Sequence, residues 1–294
     1  MRIILSSIVA LTLLLPVTVQ AYDLLVLESR HEAAYDELLA GFASRLPLSR
    51  RIITLSTYED ADINRIVRED HPRLIITLGD TALVAVRPVR QTPIIALMAL
   101  GIHARHTVQA NLTGICMFVP PERYLAVFHA MKTHRVGVIL DPAKSGWYLQ
   151  QTQAAARHTG IELVVRDVSS PREALERLSG LVHRVDALWL LPDTTAMTRA
   201  TAEAYFRFAQ EQDLPTVIFA SAYLGYGGAV AVDIDRFGMG QQAADMGTAL
   251  LAGTPPGAIP VRLPRLTRVR YNRSVLKHLA IPVEPLDRLS RTGR

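Results

Sequence analysis

Apolar residues along this chain fall into short runs that alternate with stretches of helical spacing. Residues 22–28 (YDLLVLE) form the first run, and 31–46 follow with Ala34, Leu38, Leu39 and Phe42 on one helical face. The pattern then predicts a strand over 51–56, a helix over 58–69 with Ile63, Ile66 and Val67 on one side, and a strand over 74–78. That strand, LIITL, is apolar throughout, as strands buried on both faces of a parallel sheet are. A helix over 81–86 and a strand over 93–97 complete the first series. After Pro120-Pro121 the alternation resumes. Helices over 122–132, 146–160, 171–181 and 198–212 interleave with strands over 135–140, 162–168, 187–191 and 215–220. Beyond Gly225, Gly227 and Gly228 come a strand over 229–232, a helix over 237–251 and a strand over 266–271.

Strands and helices that alternate through short loops build parallel sheets with helices on both faces. Two such series predict an α/β protein of two Rossmann-like lobes. Breaks at 117–121, 221–228 and 253–264 predict a three-segment hinge between them. On this reading residues 22–118 with 229–255 form the N-terminal lobe and 119–225 with 266–283 the C-terminal lobe. Residues 284–294 lack a packable pattern and read as a flexible tail.

The first residues read differently. Met1-Arg2 is basic, the stretch to Val19 is apolar, and Val19-Gln20-Ala21 offers a small-x-small cleavage site. Residues 1–21 are expected to be a secretory signal peptide cut after Ala21, an uncleaved anchor being the alternative. No cysteine stands at the cut, which argues against a lipid anchor, and no later apolar span is long enough to cross a bilayer. The expected location is the periplasm.

Composition narrows the function. With 49% hydrophobic and 20% charged residues over 294 positions, the chain has the material for a sizeable core and is not a disordered chain. The net charge of +5 is small and dispersed, so no nucleic-acid partner is expected. The single cysteine, Cys116, excludes an internal disulfide and a multi-cysteine metal site, and its run GICMF predicts a buried, inert thiol. No nucleophile elbow, zinc-protease motif, P-loop or dinucleotide fingerprint is present, so neither an enzyme nor a cofactor is expected. His103-x-x-His106 lacks a nearby acidic or thiol partner and reads as a loop pair rather than a metal site. Arg262, Arg265, Arg268, Arg270 and Arg273 form a basic stretch that is either a solvated strand edge or a surface for a membrane permease.

Several segments in order resemble one family. They are His71–Ala82 (HPRLIITLGDTA), Thr92-Pro93-Ile94-Ile95, Asn111-Leu112-Thr113-Gly114, Arg135-Val136-Gly137-Val138, and Ala155-Ala156 followed by Gly160-Ile161-Glu162-Leu163. Then come Asp186–Asp193 (DALWLLPD), Gly227-Gly228-Ala229, Gly238 with Gln241-Gln242-Ala243-Ala244, and Tyr271-Asn272. Together they resemble the ABC-type substrate-binding proteins of the periplasmic-binding-protein type I fold, nearest the subfamily with tryptophan- and tyrosine-binding members. The resemblance spans about Tyr22 to Val283. It implies a cleft between the lobes that closes on a small molecule.

Strand order alone points to the same place, because ligands of open parallel sheets sit beyond the carboxyl ends of the strands. Ser29 and Arg30 follow the first strand. Arg30 either grips a carboxylate or lies solvated, and Ser29 suits a helix cap. Gly79, Asp80 and Thr81 follow the third; the family carries a hydroxyl at the position of Thr81, and Asp80 either faces the ligand or caps the helix. Met98–Gly101 supplies an apolar wall where the family usually has a polar stretch with Asp-Pro. In the second lobe Ser145, Gly146, Trp147 and Tyr148 open a helix, with Ser145 as a donor and the two rings as stacking faces, core packing being the alternative for Trp147. Asp193 is expected to pair with a ligand amine or else to cap a helix. Thr194 replaces a common family asparagine. Ser221, Tyr223 and Asp233 complete the expected lining.

The expected function is a periplasmic, monomeric receptor that carries a small zwitterion to an inner-membrane ABC permease. The alternative is a sensor whose closure is read by a membrane signalling or outer-membrane receptor partner.

Overall fold

The computed structural model describes residues 22–58, 61–104 and 109–292. The leader read at 1–21 and His106 lie outside the described residues. The first series folds as β1 (Leu24–Glu28), α1 (Ala33–Arg45), β2 (Arg50–Thr54), α2 (Ile63–Asp70), β3 (Leu74–Leu78), α3 (Asp80–Ala85), β4 (Ile94–Leu97) and β5 (Leu112–Gly114). Its sheet has the order β2-β1-β3-β4-β5 and every pairing is parallel. β1, β3 and β4 are buried along their whole length, because helices cover both faces.

The second series folds as α4 (Pro121–Ala130), β6 (Arg135–Leu140), α5 (Pro142–Ala156), β7 (Glu162–Asp167), α6 (Pro171–Leu178), β8 (Ala187–Leu190), α7 (Arg199–Glu211), β9 (Thr216–Ile218) and β10 (Val230–Ile234). The chain continues through α8 (Arg236–Leu251), β11 (Thr267–Tyr271), α9 (Arg273–His278) and α10 (Glu284–Thr292). The second sheet runs β11-β10-β9-β8-β6-β7, parallel except for β11. In β11 Thr267 and Val269 point inward while Arg268 and Arg270 face out, the alternation of an edge strand. The architecture is thus the expected two α/β lobes.

The chain passes between the sheets three times: after β5, after β10 and again before β11. The first and third passages run side by side. The Cys116 amide donates to the Arg262 carbonyl at 2.9 Å and the Arg262 amide to Gly114 at 3.0 Å. The second joins them, with the Asp235 amide donating to the Leu266 carbonyl at 3.1 Å. Burial pushes the Cys116 thiol up to about 11, which keeps it protonated and inert.

Two boundaries differ from the sequence reading. Residues 229–234 belong to the second sheet and not to the first lobe, because Val230 and Ala231 pair in parallel with Val217 and Ile218. The glycine-rich stretch at 221–228 is accordingly a turn within that lobe, built on the 3-10 segment Ser221–Tyr226, and not a passage. The tail is not free either. Residues 284–292 form α10, whose Leu286 is fully buried and whose Asp287 accepts the Tyr271 hydroxyl.

α8 returns to the first lobe and crosses α1 at backbone distance. A Cβ on Gly41 would lie 2.0 Å from the Phe237 carbonyl oxygen, and one on Gly240 would lie 1.9 Å from that of Leu38. The approach lets Met239, Ala243, Met246 and Leu250 join Leu38, Phe42, Leu74 and Ile76 in one apolar core.

Candidate functional site

The carboxyl ends of the two sheets face a shared cavity of about 230 Å³. The first lobe lines it with Asp80, Leu83, Val84, Leu100, Gly101, His103 and Ala104. The second contributes Ala143, Lys144, Ser145, Pro192 and Thr194, and Phe118 arrives on the first passage between lobes.

The first-lobe wall is a braced turn. Gly79 takes φ +88°, and a Cβ there would sit 2.6 Å from the Ser29 hydroxyl and 2.7 Å from that of Tyr35. With the chain this close, the Ser29 hydroxyl accepts the Ala82 amide at 3.0 Å. Ser29 therefore satisfies the start of α3, a neighbouring helix, and not the start of α1. Asp80 is the first residue of α3 and does not cap it. Its two oxygens accept the amides of Gly101 at 2.7 Å and Leu100 at 3.2 Å, tying α3 to the segment after β4. Met98, in the left-handed region at φ +55°, turns the chain into that segment.

The second-lobe wall is organised by Asp193, which is almost fully buried after β8. Its carboxylate accepts the Ser145 hydroxyl at 2.6 Å and the amides of Asp141 at 3.0 Å, Thr195 at 2.9 Å and Ala196 at 2.8 Å. Asp141 caps α5 through the Ala143 amide at 2.9 Å and also takes the Thr195 hydroxyl at 2.7 Å. Four donors surround Asp193, so it ties the loops after β6 and β8 together and does not present itself to a ligand amine. Ser145 lies at the cavity wall with its hydroxyl already engaged.

Because Asp141-Pro142 starts α5, Trp147 lies in the second turn and not the first. It is half-buried, and its ring meets His103 of the other lobe with centroids 3.9 Å apart and planes 38° from parallel. Phe118 stands edge-on to it at 5.2 Å. The Trp147 indole N–H is buried and has no hydrogen-bond partner among the described residues. Tyr148 is core: it is fully buried, its hydroxyl donates to the Val119 carbonyl at 2.6 Å, and burial pushes its pKa well up. His103 keeps an exposed surface, but its burial lowers the imidazole pKa below the ordinary value.

The cavity therefore gathers Asp80, Ser145 and Thr194 from the expected residues and Leu100 and Gly101 from the expected apolar wall, with Trp147 just behind His103 and Phe118. Gly79 shapes its wall, while Thr81 and Gly146 are not among the lining residues. Arg30 is exposed and paired with Glu32 beside it in sequence. Ser221 and Asp233 bond to one another, amide to carboxylate at 2.6 Å, and Asp233 also faces Arg270 at 3.5 Å. Tyr223 packs with Phe219 at 5.4 Å and Phe206 at 5.9 Å, away from the cavity. The lining residues that sequence reasoning passed over include Leu83, Val84, His103, Phe118, Lys144 and Pro192. Lys144 and Pro192 were detectable in principle, since each closely follows a strand end already marked as cleft-facing. Phe118 was not, because its place depends on the path of a passage between lobes.

Among the described residues no cluster of three His, Cys, Asp or Glu side chains can hold a metal ion, and no helix is long and apolar enough to cross a membrane. The arginines near the third passage are largely matched by acids: Arg265 meets Asp245 at 2.8 Å and Arg268 meets Asp235 at 2.8 Å.

Comparison with known proteins places this geometry. The family described as ABC transporter substrate binding protein matches residues 56–290. A tyrosine-binding protein of Clostridioides difficile is 22% identical over 173 residues, covering 58% of this chain and 50% of the relative. The match thus spans about half the length of that relative. Among solved structures, a Clostridium difficile substrate binding protein with adhesive properties, in its ligand-free, open form, has a TM-score of 0.67 at 18% identity, covering 88% of this chain and 95% of the other. A Streptococcus pneumonia ABC domain in complex with L-Trp has a TM-score of 0.61 at 18% identity, covering 90% and 98%.

Proposed function

Because the chain belongs to the ABC transporter substrate binding protein family, we propose that it is an exported receptor that captures a small molecule between its lobes and delivers it to an inner-membrane importer. The observation that carries this reading is the cavity at the carboxyl ends of both sheets, walled by both lobes and flanked by three passages of chain. A ligand there touches two bodies joined by a narrow waist, so its binding energy favours the form in which they approach. At about 230 Å³ the space is smaller than the ~300–1,000 Å³ that suits drug-sized ligands, so it fits a molecule of amino-acid dimensions. The amino acids bound by the tyrosine-binding relative and the L-Trp complex support that size class. In this reading residues 1–21 direct export and the receptor works as a monomer without cofactor or nucleic acid.

The test is a thermal-shift and calorimetric screen of the purified protein against amino acids, nucleosides, sugars and small carboxylates. A true ligand at a hundredfold excess over Kd stabilises the native state by about 2.7 kcal/mol. A screen in which nothing shifts the melting temperature rejects the receptor role.

A further inference from the structure

Asp80 and Lys144 are the two lining residues that carry formal charge at neutral pH, since His103 is held neutral by its lowered pKa. They come from opposite lobes and are opposite in sign. Among the described residues neither belongs to an ion pair. Two acids near Lys144 are occupied: Asp141, three residues before it, and Asp193, which is bonded to the adjacent Ser145. Asp141 takes the Ala143 amide and the Thr195 hydroxyl, and Asp193 is enclosed by four donors. Asp80 is exposed at the cavity wall, and the two backbone amides it receives do not neutralise its charge.

Lys144 is also badly placed for stability. It stands in the first turn of α5, where the helix dipole favours anions and disfavours cations. No side-chain hydrogen bond or ion pair among the described residues offsets that cost. An exposed lysine held against the dipole, in a wall where it can reach a ligand, is accounted for by an anionic group on that ligand. Its flexible stem and three rotatable donors suit a carboxylate whose approach angle changes as the lobes move.

We infer that Lys144 takes the carboxylate of a zwitterionic ligand and Asp80 takes its ammonium group, so that the ligand bridges the two lobes through its own two charges. This rests on the receptor reading above and adds the two residues that select the ligand's charges. The remainder of the ligand meets Leu83, Val84, Leu100, Phe118 and Pro192, which favours an apolar or aromatic side group. A molecule with one charged end keeps the apolar contacts but has a charged partner on one lobe only, so it gains less from closure.

Calorimetry with L-tryptophan and L-tyrosine, then tryptamine and indole-3-propionate, tests the bridge. The expected result is that at least one of the two amino acids binds, and that each single-charge analogue binds at least tenfold more weakly. Lys144→Gln should weaken the amino acid at least tenfold while leaving tryptamine unchanged, so the preference for the carboxylate disappears. Asp80→Asn should do the reverse with indole-3-propionate. If the Asn variant does not fold, because Asp80 also braces the segment after β4, Lys144→Gln carries the test alone. Lys144→Gln binding the amino acid as tightly as wild type overturns the bridge and leaves the receptor intact. The bridge is overturned equally if a sugar or nucleoside binds and neither amino acid does. A complete absence of binding across the full screen overturns both readings.

Discussion

His103 and Trp147 belong to different lobes and meet ring on ring, with centroids 3.9 Å apart. The contact is a second bridge across the cleft, made by the protein itself. Burial lowers the His103 pKa, so the folded state holds this proton less tightly than an unfolded chain does. The contribution is therefore fully present above the ordinary imidazole pKa of about 6.5 and is lost as pH falls through the folded value. Tryptophan fluorescence titrated from neutral to acid pH should show an inflection below about 6.5 that His103→Gln abolishes. An inflection that survives in the variant assigns it to another group.

Trp147 should tolerate loss of its nitrogen but not of its ring. The indole N–H makes no hydrogen bond among the described residues, so Trp147→Phe keeps the stacking role at small cost. Trp147→Ala should destabilise by about 1–3 kcal/mol, below the 3–5 kcal/mol of a fully buried tryptophan. Small-angle scattering of the ligand-free Ala variant should give a larger radius of gyration than the Phe variant. Equal radii would show that the ring does not hold the lobes together.

Asp193→Ala should lower stability by about 3 kcal/mol or more, because it strands two buried amides, the half-buried Thr195 amide and the buried Ser145 hydroxyl at once. Ser145→Ala removes one donor of the four and should cost about 1 kcal/mol. Urea midpoints distinguish the two. A mild effect of Asp193→Ala, joined to a loss of ligand affinity, would return Asp193 to the ligand.

The contrast between Asp193 and Asp80 shows what the sequence could carry. Strand ends were readable because LIITL and RVGVIL are largely apolar, and the carboxyl ends of such strands define the cleft. Both aspartates follow apolar strands and look alike in one dimension. Their roles separate only through long-range donors: Asp193 meets Ser145 and Asp141 about fifty positions away, while Asp80 meets Leu100 and Gly101 and stays exposed. Tyr148 was misleading for the same reason, since its partner is the Val119 carbonyl on a passage whose course no local pattern encodes. Lys144 was passed over because the expected helix began at 146, whereas Asp141-Pro142 starts α5 and puts Lys144 in its first turn. α10 escaped because Leu286 and Leu289 make too short an apolar stripe to register beside nine residues of mostly polar character.

α10 should matter to the second lobe. Leu286→Ala should cost about 2–5 kcal/mol, the range for truncating a buried leucine. Truncation after residue 283 should lower the melting temperature further, because it also removes Asp287 from Tyr271 and the Leu289 carbonyl from Arg123. An unchanged melting temperature would mean the segment frays in solution.

The crossing of α1 and α8 at Gly41 and Gly240 fixes an order of assembly. β1 to β5 are made first, yet the helix that covers their Leu74, Ile76 and Ile95 face is made only after β6 to β10. During synthesis the first sheet must wait with that face only partly covered, by Leu38 and Phe42 of α1, while the whole parallel part of the second sheet is being completed. A side chain at either glycine would block the late arrival of α8, so its damage should appear first as slow or failed maturation and aggregation from the half-built lobe.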